Sequence, residues 1–111
     1  PIVLIGPSDM STKEGLQFVT YPALLQVRSA LMEMAKAQHI LYWDLFTVMG
    51  GLNSMPAWVQ ADPPLAAADH IHFSARGARE VGRLLSDAFS AELNLWHQIQ
   101  DSIPPSTPVA P

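Results

Sequence analysis

Cysteine is absent from the 111 residues, which excludes a disulfide framework, a thiolate nucleophile and a cysteine-based zinc site. That leaves the compartment undetermined. Charge is scarce too: 14% of residues are charged and the formal net charge is −4. A chain without a basic patch is poorly matched to nucleic acid, whose phosphates attract lysine and arginine. No apolar run approaches the roughly 20 residues needed to cross a bilayer. No basic-then-apolar leader opens the chain, although the abrupt start at Pro1 is compatible with one upstream.

Apolar residues, by contrast, make up 49% of the sequence. At 12.1 kDa the chain has room for one small domain with a modest core. Such a composition predicts that some apolar surface is buried against polypeptide beyond these residues.

Pro1-Ile2-Val3-Leu4-Ile5-Gly6-Pro7 reads as a short strand buried on both faces of a parallel sheet and ended by Gly-Pro. Strands of that kind are central, so neighbours are expected outside this sequence. A polar loop, Ser8 to Thr12, follows at the strand's carboxyl end, where open α/β sheets place ligand crevices. Ser8 and Asp9 are therefore candidate substrate contacts, with turn formation or capping as the competing role. From Pro22, the spacing of Leu24, Val27, Leu31, Met34 and Ala35 predicts an amphipathic helix with Arg28 on its wet side. His39, near its end, is assigned no chemistry.

Ile40 to Phe46 is the second strand candidate, with Asp44 unusual in its middle. A strand, a helix and a strand of this kind predict a right-handed crossover and a parallel pair. Thr47 to Ala68 is long and irregular, broken by Gly50-Gly51, Asn53-Ser54, Pro56 and Pro63-Pro64. Within it Met49, Met55 and Trp58 suit either an apolar wall for a substrate or a plug onto the core. Ala78, Val81, Leu84, Leu85, Ala88, Phe89 and Leu93 form a clear stripe, predicting a helix from about Ala75 to about Leu93 that Trp96 and His97 can extend by a turn. Gly77 and Gly82 in it predict close packing against a strand. Residues 101–111 are proline-rich and read as a disordered end or linker.

The stretch Asp69-His70-Ile71-His72-Phe73-Ser74-Ala75-Arg76-Gly77 packs an acid and two imidazoles ahead of a helix-start signal, with Ser74 as the cap. One turn of backbone can bring Asp69 to the Nδ1–H of His72. There it would fix the tautomer and stabilise the imidazolium formed when Nε2 takes a proton. Taken alone, Asp-x-x-His is a weak pattern, commoner as an ordinary surface loop with a capping serine.

Context raises its weight. A parallel strand, a helix, a second strand, a long loop, Asp69-x-x-His72 followed by Phe73-Ser74, and a terminal helix resemble the last blocks of the SGNH (GDSL-type) hydrolases. Three further phrases resemble the branch of that family acting on acetylated bacterial saccharides. They are Ile5-Gly6-Pro7-Ser8-Asp9-Met10, Tyr42-Trp43-Asp44-Leu45-Phe46 and Met49-Gly50-Gly51-x-Asn53-Ser54-Met55. The likeness spans residues 1 to about 93 and is most specific at the Asp-x-x-His block.

The resemblance implies an α/β fold, the C-terminal part of a flavodoxin-like three-layer α/β/α parallel sheet over residues 1–100, with Ile2 to Ile5 as the fourth of five strands. It implies a serine esterase or acyl-transfer enzyme acting on an acetylated saccharide or similar ester. His72 would be the general base, Asp69 its orienting acid, and His70 a bystander or substrate-edge group. The family's Gly-Asp-Ser block and its Gly-x-Asn-Asp block do not occur here. The nucleophile is therefore expected from an N-terminal companion segment of the same hydrolase domain. No cofactor and no membrane span are expected, and a periplasmic or secreted setting is favoured by the resemblance alone. Two other readings stand beside this one. In the first, a non-catalytic module holds a saccharide beside Trp58 and Asp9. In the second, His70 and His72 form a metal pair, which lacks further ligands to complete a shell.

Overall fold

A computed structural model of the protein describes residues 1–104. In chain order the elements are β1 (Val3–Ile5), β2 (Ser11–Glu14), β3 (Gln17–Thr20), α1 (Pro22–Ala37), β4 (Leu41–Trp43), α2 (Leu45–Met49), α3 (Met55–Gln60) and α4 (Ala75–Ser102). The apolar run at the start does become a strand, and β1 pairs in parallel with β4, Leu4 opposite Tyr42. Successive strand side chains point to opposite faces. Trp43 joins Val81 of α4 in packing against the core, while Tyr42 lines a groove with Met32 and Ala35 of α1. Helices thus flank the parallel pair on both sides, and the fold class is α/β.

The loop after β1 departs from expectation. Instead of a plain polar loop, Ser11 to Thr20 forms an antiparallel hairpin, with Thr12 opposite Val19 and Glu14 opposite Gln17. Its two-residue turn, Gly15-Leu16, has Gly15 at φ 62°, a left-handed conformation that two-residue hairpins favour and glycine adopts without strain.

The second strand is shorter than its apolar run. Strand geometry ends at Trp43, and Leu45 and Phe46, both buried, open α2. Asp44 closes the strand rather than sitting within it. Its carboxylate pairs with the Arg28 guanidinium, whose Nε donates to Oδ1 at 2.9 Å, and it accepts the Thr47 hydroxyl at 2.7 Å. Arg28, expected on the wet side of α1, is therefore tied to the end of β4, and it also lies 5.1 Å over the Phe46 ring.

The core lies at that end of the sheet. Leu45, Met49, Met55, Trp58 and Ala66 form one buried cluster, with Trp43, Val59, Leu65, Phe73 and Val81 packed around it. The long segment after β4 thus folds onto the core. Far from α2 and α3 the apolar faces are open: Leu41 is 61% exposed, and in the α4 stripe Phe89 and Leu93, expected in the core, are 49% and 56% exposed. Between sheet and helix runs a groove of about 420 Å³ lined by Val3, Leu41, Trp43, Leu85 and Phe89.

Helix α4 continues to Ser102, well past the expected end near Leu93 and into the segment read as a tail. The rest of that tail, 105–111, lies outside the described residues. Among the described residues, no helix is long and apolar enough to cross a membrane.

Candidate active site

The Asp-x-x-His block occupies a closed turn. An isolated antiparallel bridge joins Ala66 to Phe73. Within it, Ala67 N–H donates to the His72 carbonyl at 2.8 Å and His70 N–H to the Ala67 carbonyl at 3.0 Å. Behind the turn, α4 is lashed to the preceding loop. Ser74 N–H reaches the Leu65 carbonyl at 3.0 Å, its hydroxyl donates to the Pro64 carbonyl at 2.7 Å, and its Oγ accepts from Gly77 N–H at 3.0 Å. Ser74 is thus the expected N-cap and satisfies one of the first-turn donors that lack helical partners.

Asp69 faces His72 as the spacing predicts. Oδ2 lies 2.7 Å from His72 Nδ1, and Oδ1 accepts the backbone N–H groups of Ile71 at 2.9 Å and His72 at 3.0 Å. A carboxylate can only accept, so Nδ1 of His72 carries the proton and Nε2 offers its lone pair. The His72 side chain is 76% exposed and Nε2 points to no hydrogen-bond partner among the described residues. The His72 ring hydrogen bond, followed by the two backbone N–H groups, holds the Asp69 carboxyl down at about 2. The acid therefore stays ionised beside the imidazole at all but strongly acidic pH.

The remaining candidates are placed elsewhere. Asp9 is wholly enclosed. Its Oδ1 accepts the Thr20 hydroxyl at 2.8 Å, and its Oδ2 accepts Met55 N–H at 2.7 Å and the Ser54 hydroxyl at 3.4 Å. Thr20 and Asn53 exchange two more bonds beside it, at 2.9 and 2.7 Å. A buried carboxylate needs such partners. Asp9 is an interior tie between the hairpin and α3, so of its two expected roles the structure shows the structural one.

Trp58 takes the second of its two expected roles. It is 8% exposed and its indole N–H donates to the Met49 carbonyl at 3.0 Å, so it plugs the loop onto the core and presents no face to a sugar. Ser8 is half-buried on the loop between β1 and β2. His70 is buried, its ring stacked on Phe18, while the exposed ring of His72 engages Asp69. The two imidazoles therefore sit in different surroundings, one enclosed and one open to solvent. Phe18 is the contact that sequence reasoning missed, and the Gly-Leu turn between two short polar runs was its signal.

No family model matches the chain, and no curated protein matches it. A solved structure of a peptidoglycan O-acetylesterase in action is similar to it, with a TM-score of 0.74 and 26% identity. The match covers 83% of this chain but 26% of that one. The α/β arrangement, a parallel pair with flanking helices, is accordingly similar to part of an esterase fold.

Proposed function

We propose that this chain supplies the base and its orienting acid to an SGNH-type serine esterase that removes acetyl groups from a saccharide, with peptidoglycan the favoured substrate class. The observation that carries the reading is the 2.7 Å contact between Asp69 Oδ2 and His72 Nδ1 on an imidazole otherwise open to solvent. A solvated surface loop has no need to hold an imidazole in one tautomer with Nε2 outward; a general base does. The similarity to a peptidoglycan O-acetylesterase supports the ester and the substrate class.

In this reading His72 Nε2 takes the proton of a serine hydroxyl as its oxygen attacks the ester carbonyl. The imidazolium, stabilised by Asp69, returns that proton to the departing sugar oxygen. Water, deprotonated by the same nitrogen, then releases acetate. The serine comes from polypeptide outside these residues, because the family's Gly-Asp-Ser block is not among them. The chain's match to about a quarter of the similar esterase and the open apolar faces of β4 and α4 favour a companion segment of the same domain. A binding module without turnover is less well supported, since the tryptophan that would stack on a sugar is buried.

The test is turnover of p-nitrophenyl acetate and O-acetylated peptidoglycan by the full-length protein, with fluorophosphonate labelling alongside. Wild-type turnover, labelling of a serine outside this sequence and loss of turnover in His72→Ala are expected. Undiminished turnover in His72→Ala, or labelling of a serine within the sequence, overturns the reading.

A further inference from the structure

The second imidazole of the turn does none of the proton work, yet it is the better anchored of the two. The His70 ring lies face to face with Phe18 of β3, centroids 3.6 Å apart and planes 7° from parallel. Its Nδ1 is 3.0 Å from the Ala68 carbonyl, which can only accept, so the proton sits on that nitrogen. Its own carbonyl takes the Ser11 N–H of β2 at 3.0 Å. Residue 70 therefore touches both strands of the hairpin, one through the backbone and one through the ring.

The backbone at this point is unusual. His70 has φ 60°, the left-handed region that a residue with a Cβ enters at a cost. Glycine would hold the same conformation without strain. A histidine kept there, 8% exposed beneath an aromatic cover, points to a role for the ring itself. Its neighbours in the turn, Asp69 and His72, have side chains 46% and 76% exposed, so packing of their own does little to hold them.

We propose that His70 is a positioning residue, clamped between Phe18 and the Ala68 carbonyl so that the hairpin sets the geometry of the Asp69–His72 pair. The proposal rests on the reading of His72 as the base. The hairpin acts as the back plate of the turn, and Asp9 ties that plate to α3. Displacing a base by about 1 Å can cost about 10²-fold in rate, so a clamp without chemistry of its own still governs turnover.

The test uses the full-length protein with Phe18→Ala, His70→Gly and Phe18→Tyr, reading kcat and KM on p-nitrophenyl acetate and the ¹H NMR signal of the His72 Nδ1 proton. Phe18→Ala and His70→Gly should lower kcat roughly tenfold or more with KM little changed, and broaden that proton signal through faster exchange. Phe18→Tyr, which keeps the ring face, should behave as wild type. Should Phe18→Ala fail to fold, Phe18→Leu takes its place, keeping apolar cover without a ring. Wild-type kcat and an unbroadened signal in both His70→Gly and the ring-less Phe18 variant overturn the proposal. Failure of the base assignment would look different: His72→Ala would stay active, while the His72 signal would still report whether the clamp orders the turn.

Discussion

Gly77, in the first turn of α4, lies against the carbonyl of Leu65 so closely that a side chain there would overlap it. Backbone cannot yield as a flexible side chain can, so Gly77→Ala is expected to destabilise the protein by about 1–3 kcal/mol. Gly82 offers the control, because no atom lies within 4 Å of where its Cβ would be. Gly82→Ala should stabilise by about 0.5–1 kcal/mol through helix propensity. Urea unfolding of the two variants checks the contrast. Equal effects in both would mean that the approach at Leu65 is absent in solution.

Asp69→Asn should separate orientation from basicity. The amide can still accept from the backbone N–H groups of Ile71 and His72, which keeps the turn, but it no longer stabilises an imidazolium. Turnover should fall by about 10²–10⁴-fold with the unfolding midpoint little altered. An Asn variant as active as wild type would remove Asp69 from the mechanism.

Acid should find the turn robust. The folded Asp69 carboxyl sits at about 2, below its ordinary 3.8, so what it contributes to stability is fully present above pH 3.8 and is lost as pH falls through about 2. Asp44 shifts the same way, chiefly through its hydrogen bond from Arg28, and its contribution likewise fades only on acidification below the usual carboxylate range. A ¹³C titration of the Asp69 carboxyl should give a midpoint near 2, whereas one near 3.8 would show that its hydrogen bonds do not persist.

Asp9→Ala leaves the Thr20 hydroxyl and the Met55 N–H without their acceptor in a closed interior. The expected loss is about 1–3 kcal/mol for each buried donor left unmet. Thermal unfolding reads it. A secondary loss of turnover is expected, because the hairpin beneath the turn loses its tie to α3.

Much of this was legible in the chain. Residues 2–5 and 41–43 carry buried-strand composition, and the Asp69–His72 pair and the Ser74 cap behave as their spacing predicts, since the Asp69–His72 and Ser74–Gly77 contacts are local. What escaped depends on distant partners. Asp9 looks like any loop acid until Thr20 and Met55 close over it, and the choice between wall and plug for Trp58 stays open until Met49 takes its N–H. The hairpin strands are short and polar, with little of the alternation that marks a half-buried sheet. In α4 the apolar periodicity persists beyond the point where the core ends, so the pattern foretold a helix but not how little of it would be covered.

That uncovered stripe has a practical bearing. From Phe89 through Leu93 and Trp96 to Ile99, oily side chains about half exposed run along one flank of a single helix. Left uncovered, such a stripe should be sticky, prone to clump or to bind hydrophobic dyes.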